Sequence, residues 1–157
     1  MKKFLKKVAI IFSLIILFFF ILYLHTRLSD TFQKEEERII ASFGENKHIF
    51  EAITDYLISK EYEFDNYISK ENIDEYEFTA EEHEKFDYIF NSLNYTRIEY
   101  RIAYYQDYTI IKFIYNSNFE MAREIIFIGE NDIDWDKTGG WTVKLAEGWY
   151  LWSFGYV

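Results

Sequence analysis

The chain has no cysteine and no proline, and only six glycines in 157 residues. Without cysteine there is no disulfide framework, no thiolate zinc site, no thiol nucleophile and no attachment point for a lipid. Without proline, nothing forces a break inside a helix or a strand. Cations are scarce too: 17 Lys and Arg stand against 27 Asp and Glu, a formal net charge of -10. Phosphate binding depends on Lys and Arg, so a nucleic-acid partner is not expected. The sequence also contains no G-x-G-x-x-G, no G-x-x-x-x-G-K and no G-x-S-x-G, which leaves nucleotide chemistry and a serine-nucleophile elbow unsupported.

Apolar and aromatic residues are plentiful, at 50% and 22%. That excludes a disordered chain, and the length suits one core with an attachment rather than two ordinary domains.

The attachment is at the amino end. Lys2, Lys3, Lys6 and Lys7 precede Val8 to Leu24, a 17-residue run of apolar side chains interrupted only by Ser13. At 1.5 Å per residue the run spans about 25 Å, and Phe4, Leu5 and snorkelling lysines can make up the roughly 30 Å of a hydrocarbon core. A transmembrane helix is expected, with Tyr23 as an interfacial aromatic. The four lysines place the amino terminus inside, and the rest of the chain outside the cytoplasm. A cleaved signal peptide would share the basic start. However, the following LHTRLSD offers no A-x-A-like site, and the run exceeds the usual h-region. A buried core helix would need a polar face that the run lacks. Ala9 and Ser13 form a small-xxx-small pair of the kind that brings membrane helices together.

With those four lysines set aside, 13 basic residues remain against 27 acidic ones, a formal charge of -14. Such a surface repels anionic headgroups and attracts cations or a basic partner. The expected organisation is a basic tail over 1–7, a membrane helix over 8–24, a stalk over 25–44 and an acidic extracytoplasmic domain over 45–157.

Ser29 or Asp30 can cap a stalk helix reaching Phe43, and Gly44 offers a break. Ile49, Phe50, Ile53, Tyr56 and Leu57 then form an amphipathic stripe, which predicts a helix over about 46–60. Residues 61–78 carry seven acids and read as a short strand and an acidic loop. Thr79-Ala-Glu-Glu82 is a capping box. It starts a helix with Phe86, Ile89, Phe90 and Leu93 on its buried face, and Asn94 is a left-handed stop. From there the period becomes two. Strands are predicted around Ile98–Tyr104, Tyr108–Tyr115, Met121–Ile128, Trp141–Leu145 and Trp149–Phe154, with turns at Asn116-Ser-Asn118 and Ala146-Glu-Gly148. The expected class is α+β, with two to three helices packed on a four- to five-stranded antiparallel meander.

Chemistry-bearing residues are few. Asp132, Asp134 and Asp136, near Glu130 and Asn131, make an oxygen-rich loop of the kind that binds Ca²⁺, although Lys137 and Val143 stand where an EF-hand needs Gly and Glu. His83 and Asp87 share a helical face, yet two ligands do not complete a metal site. Asp and Glu suited to a hydrolase of the cell envelope are numerous but unplaced. The densest feature is the aromatic end, where Tyr150, Trp152, Phe154 and Tyr156 share one strand face and Trp149 and Leu151 the other. One face is needed for the helices. The second is a candidate interaction surface for an envelope protein or, by ring stacking, a glycan. The expected function is that of a non-catalytic binding module, with a Ca²⁺ or small-ligand receptor as the alternative and no cofactor required. In architecture alone, this plan resembles many small bacterial envelope proteins.

Overall fold

The computed structural model describes residues 2–60, 67–103, 108–115, 121–129 and 140–155. The chain divides into two compact units, residues 1–41 and 42–157. Helix α1 (Lys2–Ser59) is unbroken over 58 residues and contributes to both.

Lys2, Lys3, Lys6 and Lys7 fall in the first two turns of α1. In the first unit its apolar side chains are bare: Phe12, Phe18, Phe19 and Ile21 are each more than half exposed. This is one helix long and apolar enough to cross a membrane, near the N-terminus. Water would penalise such an unpaired apolar surface at roughly 25 cal/mol per Å², whereas lipid would not.

The expected break at Gly44, with a separate stalk before it and a separate helix after it, is absent. Gly44 lies inside α1. A mid-helix glycine costs about 1 kcal/mol relative to alanine. Here the fully buried Phe43 and Phe50, on either side of it, hold the helix in register. With no proline to remove a backbone donor, that cost does not terminate the helix.

The second unit is a six-stranded antiparallel sheet with the end of α1 on one face. The strands are β1 (Tyr67–Ser69), β2 (Tyr95–Ala103), β3 (Tyr108–Tyr115), β4 (Met121–Phe127), β5 (Trp141–Ala146) and β6 (Trp149–Gly155). Their order is β1-β2-β3-β4-β6-β5. The count is therefore six rather than four or five. The path is a meander only as far as β4, because β4 pairs with β6 and leaves β5 at the edge. Strand composition explains the swap. β6 reads WYLWSFG, apolar on both faces, and suits an interior position, whereas β5 carries the exposed Lys144 and a register irregularity between Lys144 and Ala146, two features that blunt an edge. At the other edge, β1 is capped by side chains. The Ser69 backbone N–H donates to Asn72 Oδ1 at 2.7 Å, and the Asn72 side-chain Nδ2 and the Tyr76 hydroxyl both donate to the Tyr67 carbonyl at 3.3 Å.

Register places Ile98, Phe113, Ile125 and Leu151 in one row across the sheet, facing the helix. Phe50 meets the rings of Tyr95, Phe113 and Trp149 at centroid distances of 5.5, 4.9 and 6.2 Å, and Phe43 meets Trp149 at 5.2 Å. This aromatic cluster is the core. Burying each ring contributes on the order of 2–3 kcal/mol.

Among the described residues there is one further α-helix, α2 (Ala80–Asp87), rather than the two or three helices expected. It begins at the predicted capping box: Glu82 N donates to Thr79 Oγ1 at 3.3 Å, and Thr79 N to Glu82 Oε2 at 2.7 Å. Phe86 packs against Phe78 at 4.6 Å and Tyr56 of α1 at 6.3 Å. The helix widens into a π turn over Tyr88–Ser92, and Asn94, at φ 65°, reverses the chain into β2. Gly148, at φ 70°, makes the predicted β5–β6 hairpin.

Candidate functional site

The face of the sheet opposite α1 holds an ion pair and two half-buried rings. Lys112 projects from β3 and Glu124 from β4, and their side chains meet at 2.9 Å while retaining 25% and 10% of their exposure. Lys112 Nζ also lies 5.4 Å from the Trp152 ring centroid, a cation–π contact. Trp152 stands directly opposite Glu124 in register and stacks on Phe154, with centroids 5.5 Å apart and planes inclined by 16°. The product is a nearly flat strip of two aromatic rings beside a partly desolvated ion pair. Desolvation offsets much of the Coulombic gain of such a pair, so it adds little net stability while both partners are present.

Of the four residues expected at an interaction surface, Trp152 and Phe154 are half-buried on this face. Tyr150 is 8% exposed and forms a second apolar cluster with Ile126 and Ile128. Tyr156 lies outside the described residues, as do Asp132, Asp134 and Asp136 and the turn at Asn116-Ser-Asn118. The Lys112–Glu124 pair was not legible beforehand. Charged residues inside the apolar strands, one in YTIIKFIY and two in MAREIIF, were the available signal. Arg123 follows the same rule: it sits on the helix-facing side of β4 at 1% exposure.

His83 is placed between two carboxylates rather than one. Its Nε2 is 3.3 Å from Asp74 and its Nδ1 is 3.4 Å from Asp87. The two nitrogens of one imidazole point away from each other, so the three side chains bridge and do not converge on a common point. Among the described residues, no group of three or more His, Cys, Asp or Glu is arranged to hold a metal ion.

A cleft of about 100 Å³ lies between α1 and α2, lined by Ala52, Ile53, Tyr56, Glu82, Lys85 and Phe86. Its carboxylate, Glu82, is committed to the helix cap. Its ammonium, Lys85, is 2.7 Å from Glu81 and holds that carboxyl below the usual range through this hydrogen bond. The lining thus supplies a structural carboxylate and a paired lysine, not the two separated carboxyl groups of acid–base hydrolysis.

No protein-family model, curated protein or solved structure matches the chain.

Proposed function

We propose that the chain is a single-pass membrane protein, amino terminus in the cytoplasm, whose extracytoplasmic domain is a non-catalytic binding module for another protein of the cell envelope. The reading is carried by the Trp152–Phe154 strip beside the Lys112–Glu124 pair, on a domain tethered to an apolar helix. The lysines before the apolar run support the orientation. Aromatic residues are what protein interfaces favour at their centres.

The test is a photo-crosslinking residue placed at Trp152 or Phe154 of the full chain in living cells, with the exposed Ser92 as control. One protein captured from both strip positions, and not from Ser92, is expected. Recovery of the uncrosslinked chain alone would remove the protein-partner reading.

A flat pair of half-exposed rings also suits the apolar face of a sugar, so a glycan is the second reading. Quenching or a shift of tryptophan fluorescence by soluble envelope oligosaccharides, abolished in Phe154→Ala, would favour it. A Ca²⁺ receptor built on Asp132, Asp134 and Asp136 predicts calorimetric heat with millimolar Ca²⁺, lost in Asp134→Asn.

A further inference from the structure

Between Lys7 and Arg27 the chain carries no Asp, Glu, Lys or Arg for 19 consecutive residues. The 20 helical steps from Lys7 to Arg27 rise about 30 Å, the thickness of a bilayer's hydrocarbon core. The apolar run over 8–24 rises only about 25 Å and falls short by about one turn.

Arg27 occupies that missing turn. Its Nε donates to the Tyr23 hydroxyl at 3.0 Å, and its guanidinium carbon lies 5.6 Å from the Tyr23 ring centroid. The side chain is therefore folded back along α1 toward the apolar run, the direction in which helical side chains naturally lean. Thr26 Oγ1 donates to the Leu22 carbonyl at 3.0 Å, so its hydroxyl is satisfied within the helix. The first acid, Asp30, lies at i+3 from Arg27, one turn further from the apolar run. A guanidinium has five N–H donors in a planar fork, and Nε supplies only one. The two terminal amino groups keep the geometry that matches phosphate oxygens, and tyrosine favours the headgroup level.

We infer that Arg27 and Tyr23 act as one unit that sets the outer boundary of the membrane span and binds the phosphate of a lipid headgroup. The inference rests on the membrane-anchor reading above and names the ligand at the anchor's outer end.

Because the chain lacks cysteine, each introduced one is a single labelling site. Nitroxides at Phe20→Cys, Leu24→Cys, Leu28→Cys and Thr31→Cys in the full chain, reconstituted into phosphatidylcholine–phosphatidylglycerol vesicles, report depth by their access to oxygen or to a water-soluble nickel chelate. Oxygen should dominate at positions 20 and 24 and the chelate at 31. A crossover before 24 or beyond 31 overturns the boundary but leaves the anchor standing, whereas chelate access at all four positions removes the anchor itself. In phosphate-free buffer, solid-state dephasing of arginine Cζ by lipid phosphorus should be present in the wild-type chain and lost in Arg27→Lys. Dephasing that survives the substitution, or that is missing from the wild type, overturns the phosphate assignment.

Discussion

The indole of Trp152 lies against the backbone of Gly140: a Cβ added at Gly140 would stand 2.5 Å from Trp152 Nε1 and 2.7 Å from the Ser153 carbonyl oxygen. The strip on the far face of the sheet thus depends on a missing side chain just before β5. Gly44 is the opposite case, a glycine within a helix whose added Cβ would meet nothing within 4 Å. Alanine should therefore act with opposite sign at the two positions. Gly140→Ala forces the indole or the strand to move and should destabilise by about 1–3 kcal/mol. Gly44→Ala removes backbone freedom from the unfolded chain and should stabilise by about 0.5–1 kcal/mol. Thermal unfolding of the full chain in detergent micelles checks both. A stable Gly140→Ala with unchanged tryptophan emission would contradict the packing.

Local chemistry was the legible part of this fold. Thr79 and Glu82 lie three residues apart, and their reciprocal hydrogen bonds need nothing from the rest of the chain. The same holds for Gly148 in its hairpin and for Asn94 at its reversal. Non-local pairing was not legible. The alternation of Trp149 to Phe154 shows that both faces of β6 are apolar, which calls for an interior strand, but no local rule says that β4 is its neighbour. Lys112 and Glu124 are 12 residues apart and meet only because β3 and β4 pair in one register, with Lys112 opposite Ile126 and Ile114 opposite Glu124. Gly44 was misread for a related reason: helix propensity is a local quantity, and the burial of Phe43 and Phe50 that overrides it is tertiary.

Tyr95 is 3% exposed among aromatic rings, and its hydroxyl has no hydrogen-bond partner among the described residues. Burial, reinforced by the neighbouring Tyr115, pushes its pKa well above the ordinary tyrosine value. Two consequences follow. Tyr95→Phe deletes an unsatisfied polar group and should raise stability by about 1 kcal/mol near neutral pH. In alkali the unfolded chain ionises this tyrosine near its ordinary value while the folded chain retains the proton. The folded state then binds more protons than the unfolded one, and stability falls as pH rises above about 10. The Phe variant lacks this contribution, so its advantage should widen with pH. Urea unfolding at neutral and alkaline pH measures the difference, and an advantage that stays constant or shrinks would contradict the burial of the hydroxyl.

The pair formed by Lys112 and Glu124 separates what stabilises the domain from what recognises a partner. Lys112→Met alone leaves the Glu124 carboxylate at 10% exposure without its 2.9 Å counter-ion and removes the cation from the Trp152 ring. A loss of about 1–3 kcal/mol is expected, kept below the full cost of an orphaned interior charge because the site is partly solvated. Replacing both residues, as Lys112→Met with Glu124→Leu, removes the uncompensated charge and should return stability to within about 1 kcal/mol of the original. Capture of a partner through Phe154 should not return with it. If the ion pair fixes the plane of the indole and offers the polar contact at its edge, the folded double variant fails to crosslink, whereas a surface that binds by apolar area alone crosslinks at least as well as before.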